Sequence, residues 1–273
     1  MTGSPPPQLL IFGKGYTATH LANRLRKEGW GISATGSQAR PCVLALDDPA
    51  IPDLIDRATH ILSSTPPVGD TDPVLDLYEH QLSRRNLWTG YLSSTGVYGD
   101  RQGAWVDETA EIGTGRRTAR SVADQRWQDL HGRVCIFRLP GIYGPGRSAL
   151  DRLRQGDAQR IDAGGQVFSR VHVTDIANAV RAAMQRRAVG VYNISDDLPA
   201  PGEQVLAYAA GLLGMDPPPL VPLEKAQLSP MARGFYSENR RVANGRMKRD
   251  LLQRLHYPDY RVGLAAILAE EKA

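Results

Sequence analysis

The sequence predicts an α/β protein, a doubly wound parallel sheet of about seven strands with a small C-terminal cap. Three observations carry that prediction. Short apolar runs alternate with segments of helical periodicity along the first 195 residues. The first apolar run ends in a glycine-rich turn. Past Ser195 the rhythm stops, and Pro201, Pro217, Pro218, Pro219 and Pro222 punctuate short helical pieces.

The elements follow in chain order. Leu9, Leu10, Ile11 and Phe12 form an unbroken apolar run, as a strand buried on both faces requires. Ala18, Leu21, Ala22 and Leu25 then recur at helical spacing over residues 17–28, and Gly29 supplies the stop. Further strands are expected at 31–35, 42–46, 60–63, 90–93 and 134–138, with helices at 73–85 and 117–130 between them. A helix at 174–185 and a strand at 190–194 complete the sheet, and a helix at 264–271 closes the chain. Residues 8–195 read as the sheet domain. Residues 196–273 read as a mostly helical substrate cap, with loop 146–170 contributing.

Composition narrows the class of function. Of the 273 residues, 41% are hydrophobic and 23% charged, enough apolar material for a core and too much for a disordered chain. The two cysteines, Cys42 and Cys135, make no disulfide framework, and the scattered histidines show no metal-ligand spacing, so no metal is expected. Without a leader-like start or a long apolar stretch, the expectation is a cytoplasmic protein with no membrane partner. The formal charge of +4 rests on 28 arginines and only five lysines. Guanidinium groups bind carboxylate or phosphate in a planar fork, which favours a small, anionic substrate. The Arg240–Arg249 run lacks interleaved aromatics and reads as a solvated helix face, so no nucleic-acid partner is expected.

The turn after the first strand, Gly13-Lys14-Gly15-Tyr16-Thr17-Ala18, matches G-x-G-x-x-A between a strand and a helix. The first glycine permits the tight turn, the second lets backbone approach a pyrophosphate, and Ala18 lets helix and strand pack closely. The helix N-terminus favours the negative charge. Gly13, Lys14, Gly15, Tyr16 and Thr17 are therefore candidate cofactor-binding residues of a Rossmann-type domain. An acidic residue about 20 positions on normally takes the ribose 2′-hydroxyl. Here the second strand runs into Thr35, Ser37 and Arg40 with no carboxylate, so NADP is expected over NAD.

Ligands of such sheets lie beyond the carboxyl ends of the strands, where three polar stretches fall: 63–67, 93–100 and 138–147. Ser94-Thr95-Gly96-Val97-Tyr98-Gly99, Gly141-Ile142-Tyr143-Gly144-Pro145-Gly146-Arg147 and Arg170-Val171-His172-Val173-Thr174-Asp175 follow the glycine turn in order. The chain thereby resembles the extended short-chain dehydrogenase/reductases of the NAD-dependent epimerase/dehydratase group, in particular its atypical branch. The resemblance covers nearly the whole chain. It implies that Ser63 and Ser64 lie along the cofactor, that Ser94 takes the catalytic serine position with Thr95 as neighbour, and that Pro140 to Tyr143 flank the nicotinamide. It also implies pairing of homodimers through the helices near 75–82 and 122–130, so the chain is expected as monomer or homodimer.

One departure is chemical. The hydride-transferring members use Tyr-x-x-x-Lys, and those positions fall on Arg116 and Arg120. None of the ten tyrosines has a lysine four residues later. Arg120 is expected to hold ribose hydroxyls, whereas a guanidinium at 116 cannot act as a base. The proton donor is then sought in Tyr98 first, expected at the mouth of the site, then Tyr143, with Asp100 or Glu108 behind them. Two functions compete. One is an NAD(P)-dependent oxidoreductase or epimerase acting on a small hydroxyl- or carbonyl-bearing substrate. The alternative is a non-catalytic NAD(P)-binding sensor or protein-interaction module. Cys135 reads as a core residue, His172 as structural, and Asp175 as a helix cap or brace.

Overall fold

The computed structural model describes residues 5–39, 41–84, 87–115 and 118–272. The chain begins with β1 (Gln8–Phe12), α1 (Tyr16–Lys27), β2 (Gly31–Gly36), β3 (Leu44–Ala45), α2 (Ile51–Arg57), β4 (His60–Ser63), α3 (Pro73–Arg84) and β5 (Trp88–Ser94). There follow β6 (Trp105–Val106), α4 (Thr118–Asp129), β7 (Val134–Leu139), β8 (Gly141–Tyr143), α5 (Ala149–Arg154), β9 (Arg160–Asp162), β10 (Arg170–His172), α6 (Val173–Arg186) and β11 (Gly190–Asn193). The tail holds α7 (Gly202–Leu213), β12 (Leu220–Pro222), α8 (Pro230–Phe235), β13 (Arg241–Val242), α9 (Gly245–Asp250) and α10 (Tyr260–Glu271).

Seven strands form the parallel sheet in the order β11-β7-β5-β4-β1-β2-β3. The chain builds outward from β1 through β2 to β3, then returns to place β4 on the other side of β1. That reversal puts the topological switch point between β1 and β4, where the carboxyl ends of neighbouring strands leave a crevice. The third strand is shorter than its apolar run, because Cys42 sits at φ 60° and bends the chain away before Leu44. The fifth begins at Trp88, whose indole N–H donates to the Ala188 carbonyl at 2.9 Å.

The chain divides into two compact units. The first comprises Met1–Val97, Arg116–Arg138 and Ile176–Tyr192. Its core packs Leu10 and Phe12 of β1, Ile61 of β4, Tyr91 of β5 and Trp127 of α4, with the Tyr91 and Trp127 rings stacked at 5.2 Å. The second comprises Tyr98–Gly115, Leu139–Asp175 and Asn193–Ala273, about half the chain rather than a small cap. Strand pairing explains its size: β6 pairs with β13, β9 with β12, and β8 with β10, so the stretches after β5 and β7 join the tail. Its core gathers Tyr143, Leu150, Leu206, Tyr260 and Leu264. No helix among the described residues is long and apolar enough to cross a membrane.

Candidate functional site

In the first unit the glycine turn is built as the sequence requires. Gly13 stands at φ 82°, and a Cβ there would meet Thr65 Oγ1 at 2.7 Å and the Thr65 backbone nitrogen at 2.9 Å. Only glycine follows β1 without strain. Thr35 Oγ1 accepts the Gly13 N–H at 3.3 Å, and the Thr35 carbonyl accepts the Lys14 N–H at 2.7 Å, which fixes the turn. Gly15 is exposed, with open space where its Cβ would be, and no side chain caps α1 there. The first N–H groups of a helix lack intrahelical partners and carry its positive dipole end. No acidic residue stands in this first turn, and Ala18 is fully buried against the strand.

Facing this turn from the end of β4, Ser63 Oγ and Thr65 Oγ1 are buried and have no hydrogen-bond partner among the described residues. A buried hydroxyl left unpaired costs about 1–3 kcal/mol, so each of these has a hydrogen bond to give to a water or to a polar ligand atom. Backbone donors, open space at the second glycine and unused hydroxyls fit a dinucleotide pyrophosphate and ribose. Ser64 is half-buried beside them, its N–H donating to the Phe12 carbonyl at 2.7 Å. Thr35 is buried, and its hydroxyl accepts from the turn and shapes it. Ser37 is exposed, and Arg40 lies outside the described residues. Lys14 and Tyr16 are half-buried at the turn, and Thr17 is buried under it.

A charged network that the sequence reading missed sits beneath the ends of β5 and β7. Arg138 donates from Nε and Nη2 to Asp124 at 3.1 and 2.8 Å, Ser93 Oγ donates at 2.5 Å, and Gln128 Nε2 donates at 2.7 Å. Arg138 and Asp124 are only 3% and 0% exposed, so this ion pair depends on its full set of hydrogen bonds. Its signal was an arginine closing the apolar run 134–138, a buried charge that demands a partner. Ser93 is thereby engaged. Ser94, the next residue, points to the opposite face of the strand and is half-buried. Its Oγ accepts the Gly96 N–H at 3.1 Å, leaving its own proton to donate. Thr95 is buried in the turn after it. Arg120, half-buried on α4 one turn before Asp124, makes no ion pair among the described residues, and Arg116 lies outside them.

In the second unit both candidate tyrosines are corrected. Tyr98 is fully buried rather than at a mouth, and its hydroxyl donates to Asn193 Oδ1 at 2.7 Å. Tyr143 is also buried, and its hydroxyl donates to the Asp259 carbonyl at 3.2 Å. Burial, and then the charges of Asp196, Asp175 and Asp259, push its phenol up, away from proton transfer. Asp100 accepts backbone N–H groups of Asn239 at 2.7 Å and Gln102 at 3.1 Å, bonds that hold its carboxyl below the usual range. Glu108 accepts the Asn193 N–H at 2.8 Å. All four are hydrogen-bonded within this unit. Pro140 is half-buried beside β8.

His172 is 2% exposed, between the rings of Tyr143 at 5.1 Å and Tyr257 at 4.0 Å. Asp175 braces the tail, accepting the N–H groups of His256 and Tyr257 at 2.7 and 2.9 Å. Cys135 is buried. No group of three or more His, Cys, Asp or Glu among the described residues is placed to hold a metal.

A doubly wound parallel sheet with a dinucleotide-type turn at its switch point defines the class. No family model matches the chain. It is 46% identical to a conserved protein of unknown function from Silicibacter pomeroyi DSS, covering 97% of this chain and 99% of that one at a TM-score of 0.90. The chain belongs to the same family as that protein. Over 162 residues it is 33% identical to a 3-diazoavenalumate denitrifying reductase of a Streptomyces species, covering 54% of this chain and 52% of that protein. The chain thus spans about half the length of the curated relatives it matches. Its fold is also that of MoeE5 in complex with UDP-glucose and NAD (TM-score 0.78, 17% identity, 97% and 100% covered). The human epimerase family protein SDR39U1 with NADPH shares it as well (TM-score 0.74, 17% identity, 96% and 99% covered). Of these two, MoeE5 was solved with NAD and SDR39U1 with NADPH, and the likeness to each is one of fold.

Proposed function

We propose that the chain is a nicotinamide-dependent reductase that takes NADPH and reduces a small organic acceptor. The observation that carries the reading is the Gly13–Ala18 turn facing the unpartnered hydroxyls of Ser63 and Thr65. When bound, the cofactor supplies a hydride. The α1 N-terminus holds the pyrophosphate, Ser63 and Thr65 take polar atoms along its length, and Arg120 reaches ribose hydroxyls. Ser37 and Arg40 favour a 2′-phosphate, and the absence of a carboxylate at the end of β2 supports the same choice. Ser94 donates a hydrogen bond to the acceptor.

The direction of the reaction follows from Arg120 and the two tyrosines. With Arg120 at the position where hydride-transferring members of the resembled group carry lysine, and with the hydroxyls of Tyr98 and Tyr143 donated to Asn193 and Asp259, neither of these two phenols is placed to take a proton from an alcohol. The permanent positive charge of Arg120 instead favours an acceptor that gains negative charge. The name of the Streptomyces relative, a reductase, supports this direction.

Thermal unfolding with NADPH, NADP⁺, NADH and NAD⁺ in turn tests the binding half. Ligand at 100 times its dissociation constant adds about 2.7 kcal/mol, a shift of roughly 5 °C or more. The phosphorylated pair is expected to give the larger shift, and no shift with any of the four sinks the reading. NADPH oxidation across a panel of carbonyl, enone and diazo compounds tests the chemical half. The engagement of both tyrosines also favours a second reading, a non-catalytic NAD(P)-binding sensor. Full cofactor binding with no turnover on that panel is its expected result.

A further inference from the structure

The second unit holds a largely buried guanidinium whose hydrogen-bonding edge is only partly used. Arg170, on β10, has its guanidinium 5.9 Å from the centre of the Tyr260 ring, and its Nη1 donates to the carbonyls of Phe168 at 2.7 Å and Ala200 at 2.9 Å. Among the described residues Nε and Nη2 take no hydrogen bond, and Arg170 forms no ion pair. The acid that acts on it most strongly is Asp196. Burial pushes the Asp196 carboxyl up to about 8, so at neutral pH it is mostly uncharged.

Other unused polar groups stand around the same place. Phe168, whose carbonyl Arg170 holds, packs edge to face on Tyr236 with ring centroids 5.4 Å apart. A Cβ on Gly202, at the start of α7, would stand 4.0 Å from Cε2 of the same Phe168 ring, and Glu203 follows it. Burial raises the Tyr236 phenol, while the charges of Arg152, Glu203 and Arg170 all reach its hydroxyl. Tyr236 is half-buried, Arg152 is exposed on α5, and neither makes a side-chain hydrogen bond among the described residues. Two guanidiniums against the one carboxylate of Glu203 leave a net single positive charge.

We infer that Arg170, Arg152 and Tyr236 form a seat for the carboxylate of a small organic acid, with its apolar body against Phe168. The free Nε and Nη2 edge of Arg170 is the planar fork that accepts both oxygens of a carboxylate. A single negative charge balances the cluster, whereas a phosphate dianion exceeds it and meets Glu203. The aromatic edge formed by Phe168 and Tyr236 selects a flat apolar body over a free inorganic anion. The seat goes beyond the reductase reading and does not depend on it. As an anion site it stands on this unit alone.

Calorimetry with benzoate, benzamide and inorganic phosphate, without cofactor, tests it on the full chain. Benzoate is expected to bind about tenfold or more tightly than its neutral amide, the loss of one charge-assisted pair, and more tightly than phosphate. Arg152→Gln and Tyr236→Phe, both at solvent-reached positions, are expected to weaken benzoate by about three- to tenfold with the fold intact. Arg170→Lys keeps the charge and loses the fork, and is expected to weaken it further. Equal binding of benzoate and benzamide overturns the seat. So does phosphate binding as tightly as benzoate, or benzoate binding that neither Arg152→Gln nor Tyr236→Phe changes. Failure of NADPH to bind with benzoate binding intact removes the reductase reading and leaves the seat. Failure of benzoate with NADPH binding intact removes the seat alone.

Discussion

Tyr98 shows how environment decides what a residue type can do. A tyrosine shortly after a central strand is a plausible acid on its chemistry, yet here its hydroxyl is spent on Asn193 Oδ1 and its ring is fully buried. Asn193 Nδ2 has no partner among the described residues, so the phenol is the one side-chain group satisfying that amide. Tyr98→Phe is expected to lower stability by about 1–3 kcal/mol, the cost of a buried acceptor left unpaired, while leaving any turnover within about twofold. Chemical denaturation and NADPH-oxidation kinetics on the same preparation check both parts. A loss of turnover of about 100-fold or more at unchanged stability returns Tyr98 to the role of acid. Ser94 differs because its oxygen accepts from the backbone and its proton stays available.

Among the elements, α4 has the most to lose. It meets the sheet through a buried carboxylate as well as apolar packing, with Asp124 gripped by Arg138 of β7, Ser93 of β5 and its own Gln128. Arg120 lies four residues earlier on the same helix, so the ion pair sets where that guanidinium stands. Asp124→Asn keeps the shape but leaves the Arg138 charge buried without its counter-ion. The expected cost is about 3–5 kcal/mol, and at temperatures where the variant stays folded the affinity for NADPH falls. Replacing both partners, Asp124→Asn with Arg138→Met, is expected to recover part of the stability. If Asp124→Asn alone melts like the parent, the pair is not holding the helix.

At the scale of the molecule, buried ionisable groups set the pH range of the fold. In an unfolded chain Asp196 titrates near its ordinary 3.8, while in the fold burial raises it to about 8. The folded state therefore keeps a proton that the unfolded state releases between those values. The stability this gives is fully present below about pH 4 and is lost as pH rises through about 8, at up to ~1.4 kcal/mol per pH unit. Asp196→Asn is expected to flatten the stability profile between pH 5 and about 8, most visibly at the alkaline end. Denaturant midpoints across that range check it, and parallel profiles for parent and variant count against the assignment.

The sheet and its cofactor turn were legible in the sequence because both rest on local chemistry. An apolar run, a glycine that alone tolerates φ 82°, an open second glycine and a small Ala18 are properties of neighbours in the chain. The grip of Arg138 on Asp124, the capture of Tyr98 by Asn193 and the gathering of Arg170, Phe168 and Tyr236 join residues 14, 95 and up to 68 positions apart. No periodicity encodes such meetings. The size of the second unit escaped for the same reason, since β6 with β13 and β9 with β12 pair across long stretches of chain. The sequence by itself determined the fold class and the glycine turn after β1. Only the tertiary structure decided which polar groups are spent and which remain for a ligand, because burial and partner geometry set the availability of a hydroxyl or guanidinium.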